Sequence, residues 1–268
     1  MGLYERVLQS IINKKERKEK GLHNGIPFPF ERYKDYIPSI DKGSYIGILG
    51  SSGIGKSRWI RDAFVYKTLE FSKKNNYPVK ILYFALEDGD EAIYKKMMIH
   101  YLYTRHHIDI SAKYLDSKDV PIPDKYLNYL KQDADFYKEF DESVYIINNC
   151  SSPSEIQKVS HELHKKYGET HHLIAIIDNY SNITKDAHHN TEWEAIKTLS
   201  RNVIRLDLCK KLNMTVVAVL QVDAETEKHT FRNAGKVNLS AVEPNISSIG
   251  DAKVIMRDRV NILTNTIK

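Results

Sequence analysis

Cysteine is nearly absent from this 268-residue chain: Cys150 and Cys209 are the two, far apart and in no C-x-x-C pattern. That excludes a disulfide scaffold and a cysteine-built zinc site, and leaves both thiols as small hydrophobes in a reducing compartment. Long apolar runs are missing as well. No stretch approaches about 18 apolar residues and none follows Met1, so neither a membrane span nor a secretory leader is expected, and the expected setting is cytoplasmic. There is no G-x-S-x-G, which removes the nucleophile-elbow hydrolases. Charge of one sign is also scarce. Forty Lys and Arg stand against 35 Asp and Glu, a formal +5 that is compatible with a polyanionic partner but does not require one. Histidine occurs in the pairs 106/107, 171/172 and 188/189. Neighbours on a regular helix or strand cannot both face one ion, so these pairs read as solvated surface histidines. His161 and His164 are three apart, where a zincin needs four.

What the chain has is a core-forming composition, 41% hydrophobic and 28% charged. Residues 3–20 carry Leu3, Val7, Leu8, Ile11 and Ile12 on one face before a charge run from Lys14 to Lys20, and read as an amphipathic helix. Gly21 to Pro38 is rich in Pro, Gly and aromatics without a period, and reads as an extended arm. The expected division is therefore 1–40 as helix and arm and 41–268 as the main domain. From Tyr45 short apolar runs alternate with longer helical patterns, which predicts an α/β fold with a parallel sheet. The strands are expected at Tyr45–Leu49, Lys80–Ala85, Val144–Ile147, Leu173–Ile177 and Thr215–Leu220, with a sixth possible within Lys253–Leu263. Helices are expected at 56–75, 90–107, 153–167 and 192–212. Between 108 and 142, Pro121 and Pro123 interrupt the pattern and no element is assigned.

The strongest motif is Gly50-Ser51-Ser52-Gly53-Ile54-Gly55-Lys56-Ser57, a G-x-x-x-x-G-K-[ST] loop between a strand and a helix. Such a loop curls its N–H groups around phosphates at a helix N-terminus. Lys56 would reach the β and γ phosphates of ATP and Ser57 would bind Mg²⁺. Asp178 closes the apolar run Leu173–Ile177 at the carboxyl edge of the sheet, where it would orient the Mg²⁺ shell. Glu87 follows the strand after the P-loop helix and can act as general base, with Asp88 and Asp90 as competitors. Gln221 ends the strand Thr215–Leu220 and could sense the γ-phosphate or be a plain strand-terminal amide.

This motif set resembles the RecA-like core of DnaB-type replicative helicases. The likeness is carried by Ile26-Pro27-Phe28-Pro29-Phe30, Phe84-Ala85-Leu86-Glu87, Ile176-Ile177-Asp178-Asn179-Tyr180 and Lys210-Lys211-Leu212-Asn213 through Gln221. Ser247 to Met256 adds to it, and the whole extends over about residues 25–260. The resemblance implies a P-loop ATPase with Glu87 as catalytic base and Gln221 as phosphate sensor. It also implies a homo-oligomeric ring of six around single-stranded DNA, other replication proteins as partners, and a bacterial or phage setting. DNA contacts are implied for the loops after Asp178 and Gln221, the second of which carries Lys228, Arg232 and Lys236. The family's Lys-x-Arg finger has no clear equivalent; Arg257 and Arg259 are the nearest basic pair. The chain is thus expected to be truncated, completed by another polypeptide, or slow in turnover. A RecA/RadA-type recombination ATPase and a nucleotide-switched loading module are the alternative readings.

Overall fold

A computed structural model describes residues 2–116, 120–221 and 261–264. Two strands come first: β1 (Ile26–Pro27) and β2 (Ser39–Ile40) form a small antiparallel ribbon. The main sheet holds β3 (Tyr45–Gly50), β4 (Val79–Ala85), β5 (Val144–Ile147), β6 (His172–Asp178), β7 (Thr215–Gln221) and β8 (Asn261–Thr264). Its order is β5-β4-β6-β7-β3-β8, and every neighbouring pair is parallel. The five strands expected up to residue 221 are all present, extended by a residue at most at either end. β8 takes up the end of the expected sixth run; residues 253–260 lie outside the described residues.

Period-two alternation splits each strand between two apolar layers. Leu49, Leu82, Phe84, Ala175, Ile177 and Leu220 face the helices Pro153–Tyr167 and Glu192–Thr198. Ile48, Ile81, Tyr83, Ile176 and Val219 face the P-loop helix on the other side. Burial on both faces is why these segments read as continuous apolar runs rather than alternating ones. Helix Pro153–Tyr167 starts with proline at its first position, and the Glu155 carboxylate accepts the N–H groups of Ser151 and Ser152 at 3.0 Å.

Two of the expected helices are less regular than their pattern. The P-loop helix runs as α over Lys56–Ile60, as π over Arg61–Tyr66 and as α again over Lys67–Asn75. Glu192–Thr198 likewise continues as π over Leu199–Lys211. The unassigned region holds three helices, Lys113–Asp116, Asp124–Gln132 and Ala134–Ser143. Asp133, at the junction of the last two, accepts both guanidinium nitrogens of Arg105 (3.0 and 2.8 Å) and pairs with His106 Nε2 at 2.7 Å. Those bonds hold its carboxyl below the ordinary range.

The segment before β3 is packed rather than free. Phe28 is fully buried, in edge contact with Phe30, Tyr33 and Phe64, and Phe30 stacks on Trp59 at 4.9 Å. The arm thereby braces the outer face of the P-loop helix. Ahead of it, helix Leu3–Glu19 buries none of its residues and exposes Leu3, Val7 and Ile11.

Candidate functional site

Four neighbouring strands, β4, β6, β7 and β3, end at one edge of the sheet, and the residues after them line one cleft of about 280 Å³. Ser52, Gly53, Gly55, Lys56, Ser57, Glu87, Asp178 and Gln221 are all on its walls. The cleft is not the largest in the molecule. One of about 640 Å³ runs along β5 between Tyr94, Tyr145 and Tyr167, but its walls are mainly apolar and it has no phosphate-binding loop.

The loop is built by β3, which delivers Gly50 to the carboxyl edge. Gly53 (φ 74°) and Gly55 (φ 85°) sit in the left-handed region, and Gly55 is the N-cap of the helix. A Cβ would meet nothing within 4 Å at either position, so backbone conformation rather than crowding calls for glycine there. Lys56 is buried, its Nζ donating to the carbonyls of Gly50 (2.8 Å) and Ser51 (2.6 Å).

Asp178, 4% exposed, is held from two sides. Ser57 Oγ donates to Oδ1 at 3.1 Å, and the Tyr83 hydroxyl donates to Oδ2. Burial first, and then the facing carboxylate, push the Tyr83 phenol well above its ordinary value, so it stays a donor. Behind it lies the buried Arg61 guanidinium, whose positive charge pulls the Tyr83 and Tyr66 phenols downward. Burial pushes Tyr66 up to about 12 against the pull of that cation. Among the described residues Arg61 Nη1 has no hydrogen-bond partner. Ser57 and Arg61 are four apart on one helix and so share a face. One contacts Asp178 directly and the other acts through Tyr83.

Geometry sets Asp90 apart from the other two acidic candidates after β4, since it lies on the cavity along β5. Asp88 and Glu87 both line the cleft, Asp88 there paired with Lys96 Nζ at 2.6 Å. Glu87 is exposed on the cleft wall. Its turn is tied to the Asp178 segment by Leu86 N–H donating to the Asp178 carbonyl (2.7 Å) and Asn182 Nδ2 donating to the Leu86 carbonyl (3.1 Å). Gln221 Oε1 accepts from Asn179 Nδ2 at 3.1 Å, which links the ends of β7 and β6.

Two solved structures share this architecture over nearly the whole chain. A DnaB-like replicative helicase, in a structure that concerns its interactions with primase, matches 98% of this chain and 56% of its own with a TM-score of 0.68 and 16% identity. The fold is that of a DnaB-like ATPase domain. A helicase ATPase domain solved on its own agrees, with a TM-score of 0.69 and 15% identity over 96% of this chain and 82% of that one. No family model matches the sequence, and no curated protein matches it by sequence. The DnaB-like α/β P-loop fold anticipated from the motifs is therefore present, and the chain spans 56% of the helicase's length.

Within this DnaB-like fold, Lys228, Arg232 and Lys236 lie outside the described residues, as do Arg257 and Arg259. The histidine pairs need correction, because His172 and His189 are buried rather than solvated. His172 sits between Thr215 Oγ1 (2.7 Å) and the Tyr77 hydroxyl (3.2 Å), and burial drives its pKa down to about 3. Sequence reasoning also missed Arg61 on the cleft wall and Tyr83 behind Asp178. The available signals were a hydroxyl-bearing ring inside a buried strand and an arginine four residues after Ser57.

Proposed function

We propose that this chain is the ATP-hydrolysing motor core of a DnaB-type helicase, acting on single-stranded DNA in replication. The observation that supports it most is the convergence of the phosphate-binding loop, Glu87, Asp178 and Gln221 on one cleft of a DnaB-like fold. The donor set fits a hard divalent cation: Ser57 Oγ and Asp178 Oδ1 are oxygens 3.1 Å apart beside the loop. Mg²⁺, when bound, supplies charge neutralisation for the phosphates, and these two residues would hold it. The loop's N–H groups and the Lys56 ammonium stabilise the charge that develops on the γ-phosphoryl oxygens. Glu87 takes the proton from the attacking water. Asn179 fixes the Gln221 amide, which is placed to report whether the γ-phosphate is present. On this reading the chains assemble into a ring of six around the strand, and Lys228, Arg232 and Lys236 contact its backbone by charge.

The deciding experiment measures ATP turnover with and without single-stranded DNA, alongside binding of a fluorescent ATP analogue. The wild-type chain should hydrolyse ATP faster with DNA. Glu87→Gln should lose about 10²–10⁴-fold in turnover while still binding the analogue. Turnover of that variant within about threefold of wild type would remove Glu87 as the base. ATP binding with no DNA-stimulated turnover would replace the motor by a nucleotide-switched loader. Strand exchange without unwinding of a fork would replace it by a recombinase.

A further inference from the structure

We propose that Asp186, His188 and His189, in the turn between β6 and helix Glu192–Thr198, form a binding site for a zinc-type divalent ion. One ligand atom from each residue falls within 4.8 Å of the others. A tetrahedral ion with bonds of about 2.0–2.2 Å needs its ligand atoms roughly 3.5 Å apart. The two inner ligands are already near that spacing, since His189 Nδ1 lies 3.7 Å from Asp186 Oδ2. His188 is exposed, with a ring nitrogen within 4.8 Å of the other two ligand atoms.

The inner pair has an unmet need. His189 is more than nine-tenths buried, and among the described residues its Nδ1 has no hydrogen-bond partner. Its distance to Asp186 is too long for a hydrogen bond. The other ring nitrogen, Nε2, meets Thr198 Oγ1 at 3.0 Å. With the proton on Nε2, that contact is a donated bond, and the Nδ1 lone pair faces the carboxylate with nothing positive between them. With the proton on Nδ1, a buried N–H is left unmade. A cation between the two groups resolves the first case, in which Nε2 donates to Thr198 Oγ1 as a metal-bound imidazole donates to its outer partner. Asp186 is oriented in the same way, accepting from Ser154 N (3.2 Å) and from the Ser154 hydroxyl.

The other histidine–carboxylate pairs are satisfied and make the contrast. His106 meets Asp133 at 2.7 Å and His161 meets Asp207 at 2.5 Å, both within hydrogen-bond reach. Two imidazoles and one carboxylate favour a borderline ion such as Zn²⁺ over Mg²⁺, which prefers oxygen alone. The site is therefore chemically distinct from the Ser57–Asp178 pair. The rule that adjacent histidines cannot share an ion holds for helices and strands. Residues 184–190 are neither, and the turn lets both rings converge, with centroids 4.0 Å apart. Through Ser154 and Thr198, an ion here would pin the segment after Asp178 to two helices.

The test is titration of the full chain, stripped of metal, with Zn²⁺ against a chromophoric chelator in excess Mg²⁺. One equivalent per chain is expected, and Co²⁺ in its place should give the visible absorption of a tetrahedral site. His188→Gln removes an exposed ligand that the fold does not need, and should weaken Zn²⁺ binding by about tenfold or more. Asp186→Asn should do the same, while His107→Gln, on another helix end, should leave binding unchanged. Absence of a zinc equivalent in the wild-type chain, or an equivalent untouched by both His188→Gln and Asp186→Asn, overturns the site.

Discussion

Replacing Tyr83 with Phe would take one hydroxyl out of a fully buried ring and change nothing else in the packing. That hydroxyl donates to Asp178, 4% exposed, and lies in the field of the buried Arg61 guanidinium, so a buried carboxylate loses a partner beside a buried cation. A hydrogen bond to a charged group contributes about 1.5–3 kcal/mol, and a buried charge left short of a partner costs more than the bond was worth. Asp178 keeps Ser57, which limits the damage. The expected loss is about 2–4 kcal/mol. For a chain of this size 1 kcal/mol corresponds to about 2–4 °C in Tm, so a drop on the order of 4–16 °C should appear in thermal unfolding, with a matching loss of stability in urea. Ser57→Ala is the companion measurement. It removes the contact on the cleft side of Asp178 and should cost only about 0.5–1.5 kcal/mol of stability. Its larger effect should be on Mg²⁺-dependent nucleotide binding, lowered by roughly tenfold or more. A Tyr83→Phe chain within about 0.5 kcal/mol of wild type would show that Asp178 is not held through Tyr83, and the Arg61–Tyr83–Asp178 relay would have to be abandoned.

His172 predicts an acid-sensitive window. Its folded pKa is lowered from 6.5 to about 3, so its contribution is complete above pH 6.5 and is lost as the pH falls from there toward 3. At pH 5 the loss is about 2 kcal/mol, and His172→Gln should narrow the stability difference between pH 7.5 and pH 5 by that amount; an unchanged difference would count against the assignment. Phe28→Ala should cost about 3–5 kcal/mol and shift the fluorescence of Trp59 without nucleotide present, whereas an unchanged Tm would mean the arm does not brace the P-loop helix.

Strand positions were legible because a strand buried on both faces leaves an uninterrupted apolar run, and β4 and β6 carry such runs almost from end to end. The P-loop was legible because its requirements are local: two left-handed glycines, a lysine and a hydroxyl within one turn. Contacts between distant segments were not. Tyr83 and Asp178 are 95 residues apart, and nothing near either one announces the other. The π-helical stretch Arg61–Tyr66 keeps an apolar pattern close to that of an α-helix, so the sequence shows a helix without its irregularity. Among the three helices of the unassigned region, the prolines concealed Asp124–Gln132, because Pro123 is its N-cap rather than a break within it. The solvated reading of His172 and His189 failed because the burial of a single histidine is set by distant packing partners, Thr215 and Tyr77 for His172, which lie far from it in the chain.

The strand order also governs how a ligand would protect the protein. The cleft draws its walls from β4, β6, β7 and β3, which are adjacent in space but scattered over positions 45–221 of the chain. No fragment shorter than that span can assemble it, so occupancy and formation of the central sheet form one cooperative event. A ligand present at about 100 times its Kd would add roughly 2.7 kcal/mol to every opening that breaks these strands. Amide exchange should therefore slow together along β3, β4, β6 and β7 when nucleotide binds. The helices Asp124–Gln132 and Ala134–Ser143, which can fray without opening the cleft, should exchange as before.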